Sequence, residues 1–66
     1  MTISTYTPHE LRREARACVK GLGQFIRHEI AIHDTGAVQL RVYFVRHFNP
    51  YRPLTSQAVE VTTLAL

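Results

Sequence analysis

The chain has 66 residues, 45% of them hydrophobic and 20% charged, with a net charge of +3 and a single cysteine. That length makes one domain, whose core buries only ~60% of the surface its unfolded form exposes, and the hydrophobic fraction excludes wholesale disorder. Cys18 has no second cysteine to pair with, which rules out an internal disulfide and fits a reducing setting.

The opening residues, MTISTYTPHE, lack the basic start and apolar run of a signal peptide. No stretch approaches the ~20 apolar residues needed to cross a bilayer. The expectation is a soluble cytoplasmic chain with no membrane partner. Its cation excess suits nucleic acid or an acidic protein surface, without choosing between them.

Thr7-Pro8-His9-Glu10 reads as a helix start. The Thr hydroxyl can accept the Glu10 amide, Glu10 can reach back to the Thr7 amide, and proline suits the first helical position. Tyr6 and Leu11 occupy the positions of a hydrophobic staple. Leu11, Ala15, Cys18, Val19 and Leu22 then form one apolar stripe, with Arg12, Arg13, Arg16 and Lys20 opposite. Gly21 and Gly23 supply helix-ending positions, which predicts a helix over about 8–21.

The segment from Gln24 to Phe48 alternates with the period of strands. Asp34-Thr35-Gly36 is a three-residue hairpin loop with glycine where positive φ is needed. That loop opposes Ile30 with Leu40 and Ile26 with Phe44 on the core face. It opposes Glu29 with Arg41 and Arg27 with Tyr43 on the other face, an ion pair and a cation–π pair. Strands are expected at about 24–33 and 37–47. NPYRPL makes a loop, because proline cannot donate to a central ladder. SQAVEVTTLAL reads as a third strand, about 57–65, with apolar residues on both faces so that its inward side stays open. Thr2–Tyr6 has the composition of a short additional edge strand.

The predicted architecture is α+β, one amphipathic helix on a three-stranded antiparallel sheet. Its expected core is Leu11, Ala15, Cys18, Val19, Leu22, Ile26, Ile30, Ile32, Val38, Leu40, Val42 and Phe44. Phe25, Tyr43 and Val45 are expected together on the outer sheet face, beside Arg27 and Arg41. A contiguous apolar group without a covering helix points to an interface, and unprotected strand edges point to a homodimer.

The residue types of catalysis are present but scattered. Zinc ligands come in close pairs. Among His9, His28, His33 and His47 only His28 and His33 are close, and their odd separation on a strand sends them to opposite faces. Cys18 lies on the apolar helix stripe, where a thiol behaves as a small hydrophobe. The five carboxylates form no acid–base pair, and Gly21-Leu22-Gly23 follows a helix instead of opening one. No catalytic residue, metal or cofactor is expected.

Two surfaces remain. Arg12, Arg13, Arg16 and Lys20 share one helix side, and each can take a phosphate or a carboxylate. Phe25, Arg27, Arg41, Tyr43 and Val45 form the outer sheet face, and Tyr51 with Arg52 adds an aromatic and a cation in a loop suited to contact. These features predict a non-enzymatic regulator or inhibitor that docks on a protein or nucleoprotein complex with an acidic or phosphate-bearing surface. Small inhibitors carried by phage and plasmids, anti-CRISPR proteins included, are one instance of that class. The alternative is a nucleic-acid-binding module that contacts phosphates through the basic helix face.

Overall fold

The structure, a computed structural model, describes residues 6–66. Helix α1 spans Pro8–Cys18, strand β1 Gln24–Ile32, β2 Val38–Val45 and β3 Val59–Ala65, with a 3-10 turn at Leu54–Ser56 before β3. Among the described residues the strands form one antiparallel sheet in the order β1-β2-β3, with β2 central and β1 and β3 at the edges. This is the predicted α+β architecture. The extra N-terminal strand suggested by Thr2–Tyr6 falls, apart from Tyr6, outside the described residues.

The helix begins where its sequence asks it to. Thr7 accepts the Glu10 amide at 3.1 Å while its own amide donates to Glu10 Oε1 at 3.1 Å, a complete capping box. The helix ends at Cys18, earlier than its apolar periodicity suggests. Val19 leaves helical geometry, and its carbonyl accepts from both Leu22 N and Gly23 N. Gly21, at φ +83°, lets the chain reverse there. Lys20 therefore sits in the turn and does not extend the helical row of arginines.

The hairpin register predicted from Asp34-Thr35-Gly36 holds from Arg27 to Ile32: Ile30 faces Leu40, Glu29 faces Arg41 and Arg27 faces Tyr43. Gly36 has φ +87°, the left-handed conformation that the loop requires. Nearer the start of β1 the register shifts. Phe25 faces Phe44 and Arg27 faces Tyr43, so Ile26 is a bulged residue with no partner of its own. The bulge turns Phe25 to the helix side, where it packs on the core, so the expected place of Phe25 beside Tyr43 on the outer face is corrected. Ile26 correspondingly does not face Phe44.

The core is Ala15 of α1 and Val19 just past its end against Leu40, Val42 and Phe44 from β2, joined at its margin by Cys18, Phe25, Ile30, Leu64 and Leu66. Leu40 and Val42 are the largest side chains fully buried. Two expected core residues are out in solvent, Leu22 at 38% and Ile32 at 66% exposure. An 11-residue helix is about 16 Å long, whereas a nine-residue strand is about 30 Å, so α1 cannot reach the hairpin end of β1 where Ile32 lies. The phase of β3 is settled by its pairing. Glu60, Thr62 and Leu64 face Phe44, Val42 and Leu40 on the helix side, which leaves Val59 and Val61 outward at 45% and 53% exposure.

Candidate macromolecular docking surface

Burial of Ala15 and Val19 against β2 fixes the rotation of α1 about its axis, and with it the direction of the basic row. Ala15 and Val19 point into the core, while His9, Arg12, Arg13 and Arg16 run from the flank beside β1 to the outer side around a shallow hollow. Glu10 is committed to the cap. Its hydrogen bonds from the Thr7 amide and hydroxyl hold its carboxyl below the ordinary carboxylate range.

The helix cations meet the sheet at the bulge. Arg16 places its guanidinium 5.4 Å from the centre of the Phe25 ring. Arg12 lines a second hollow with Phe25, Ile26, Arg27 and His28. The Phe25 and His28 rings are 6.1 Å apart, which gives this margin an aromatic floor. Basic helix face and β1 edge are thus one continuous surface, an arrangement created by the unpaired residue at Ile26.

Arg27 carries the surface round to the outer face. Its guanidinium lies 3.9 Å from the centre of the Tyr43 ring, and its Nη1 is 3.4 Å from Glu29 Oε2. Tyr43 donates its hydroxyl to Glu29 Oε1, and Arg41 approaches the same oxygen at 3.5 Å. The Tyr43 hydrogen bond is the largest cause of a lowered Glu29 pKa, followed by the Arg27 contacts and the Arg41 hydrogen bond. Arg27, Arg41 and Tyr43 are brought together as expected, but around a carboxylate that already answers the cations. Val45 is not with them as an exposed residue. It is only 3% exposed and lies under the loop that follows β2, among Arg46, His47, Asn49 and Gln57.

That loop is closed by one side chain. Gln57 accepts the Asn49 amide at 2.9 Å and donates Nε2 to the carbonyls of Asn49 and Arg52 at 2.9 and 3.0 Å. Arg46 makes a two-point contact with Glu60, 3.1 Å at each oxygen, which lowers the Glu60 pKa. The loop holds Tyr51 at 95% exposure, with Arg52 also in solvent, so both stand ready for contact but apart from the helix cations. Gln57 and the Arg46–Glu60 pair carry no sequence signal of their own. Each joins residues brought close only when β3 docks on β2.

Among the described residues no three of His, Cys, Asp and Glu come together as a metal site would require. Burial pushes the Cys18 thiol up, away from the thiolate a nucleophile needs. No described helix is long and apolar enough to cross a membrane. Searches for a matching protein family, curated protein or solved structure found none.

Proposed function

We propose that this chain is a non-enzymatic regulator or inhibitor that docks, through the basic face of α1 and the adjoining β1 edge, on a protein or nucleoprotein partner with an acidic surface. One observation carries the reading. The ion pairs among the described residues engage Arg27 and Arg41 on the sheet and Arg46 at the end of β2, while Arg12, Arg13 and Arg16 make no direct ion pair, Arg13 acting on the capping Glu10 only through its charge. A charged helix face whose cations serve only solubility is usually laced with its own i,i+4 pairs. Here the arginines stand side by side over an aromatic margin, a composition suited to binding hot spots.

The double variant Arg12→Glu/Arg16→Glu tests the surface. In capture from source-cell lysate, wild-type chain is expected to retain a partner that the variant loses. Equal retention by both sinks the reading. The same unpaired arginines favour direct phosphate binding as the second reading. Three phosphate contacts would cost about forty-fold in affinity between 50 and 200 mM salt. A mobility-shift titration showing that steep dependence on bare DNA or RNA would replace the protein partner with nucleic acid.

A further inference from the structure

The two edges of the sheet are built differently. β1 carries a bulge and places Arg27 and Glu29 along its length, features that deter another strand. β3, VEVTTLA, pairs with β2 without a register shift and contains one charge, Glu60, already neutralised by Arg46. It has no proline and no lysine, and among the described residues no helix covers it, because α1 packs on β1 and β2. Its outward Val59 and Val61 are half exposed.

Hydrogen-bond phase decides what can pair there. Leu66 N donates to Val38 O, so the Leu66 main chain points at β2. By strict alternation the main-chain groups of Leu64, Thr62 and Glu60 also point at β2. Those of Val59, Val61, Thr63 and Ala65 point at the free edge. An antiparallel copy of the same strand, centred on Thr62, sets Val59 opposite Ala65 and Val61 opposite Thr63. All four edge-directed residues on each copy then meet edge-directed partners. We propose that the chain forms a homodimer through β3, giving a continuous six-stranded antiparallel sheet.

The pairing is self-complementary in three respects. It supplies about eight main-chain hydrogen bonds, since each hydrogen-bonded pair exchanges two. It sets Val61 beside Thr63 of the second copy on the outer face, covering part of an exposed valine. It brings no like charges together, because Glu60 meets Leu64 of the second copy while keeping its own Arg46. A chain of this length, with a small core and no disulfide, gains from an added partner. The two-fold axis is perpendicular to the sheet, so both basic helices lie on one face, about 19 Å apart by strand spacing.

Sedimentation equilibrium at a few hundred micromolar is the test. The wild-type chain is expected at the mass of two chains. Thr63→Pro removes an edge-directed N–H without touching the β2 ladder, and Val61→Lys places a charge at the edge. Both are expected to be monomers with the wild-type far-ultraviolet circular dichroism. In a Cys18→Ala background, Thr62→Cys is expected to cross-link on mild oxidation, because non-hydrogen-bonded pairs sit close enough for a disulfide. A monomeric wild type overturns the proposal. So does a dimer that survives both edge variants, or one in which Thr62→Cys fails to cross-link.

Discussion

Gly23 lies where the turn after α1 delivers the chain to β1, and it presses directly on the end of β2. A methyl group built there would overlap the Val45 carbonyl oxygen and lie 2.8 Å from Arg46 Cα. Both obstacles are main chain, so neither can swing aside. Relief requires moving Gly23, which would strain its 3.2 Å bond to the Val19 carbonyl and the pairing of Gln24 with Val45. Gly23→Ala is thus an overpacking change of about 1–3 kcal/mol. It is offset by about 0.4–1 kcal/mol from the stiffer unfolded chain. The clash wins by about 1–2 kcal/mol, a large share of the ~3–10 kcal/mol total stability of a chain this length. At about 4–8 °C per kcal/mol, Tm should fall by about 5–15 °C. Thermal unfolding followed by circular dichroism measures it, with amide exchange at Gln24 and Val45 expected to rise before exchange at the hairpin end. A Gly23→Ala variant as stable as wild type would refute the close approach.

Tyr43→Phe removes the leading cause of the lowered Glu29 pKa, so an NMR titration should show it moving up toward the ordinary 4.5; no movement would contradict the hydrogen bond. Glu29 and Glu60 both bind protons less readily folded than unfolded. Their contribution is therefore complete above the ordinary carboxylate range and is lost as pH falls through the lowered folded values, which acid unfolding of the Glu29→Gln and Glu60→Gln variants should show as flatter profiles below pH 4.5. Gln57→Ala should raise amide exchange at Asn49 and leave the β1–β2 amides protected; unchanged exchange at Asn49 would mean that Gln57 does not hold the loop.

Much of the fold was legible because local signals agreed with one another. Thr7, Pro8 and Glu10 fixed one helix end, and the three-residue loop with Gly36 fixed a register that both the apolar and the charged pairs supported. The bulge left no such trace. Alternation across Gln24–Ile30 looks the same whether Ile26 is paired or extruded, and only packing against α1 turns Phe25 inward. The helix ends short of its apolar periodicity because Val19 continues the apolar stripe after the backbone has left the helix. Of the docking surface, the direction of Arg12, Arg13 and Arg16 followed from helical spacing. Their junction with Phe25 and Arg27 did not, since it joins residues from two elements across the bulge. Val45 was out of reach for a similar reason: its cover is a loop, and loops carry no periodicity.

The bulge at Ile26 also bears on how this chain can change in length. β1 holds one residue more than its ladder uses, and the surplus is gathered at a single address. Excision of Ile26 leaves Phe25 across from Phe44 and Arg27 across from Tyr43, with every other pair as before. Excision of any residue between His28 and Ile32 instead shifts the strand by one step and inverts each side chain on one side of the cut. The one-residue deletion that β1 can absorb is thereby confined to the strand's entrance, where the basic surface meets the sheet. The contour of that surface can change by one residue while the core stays in register.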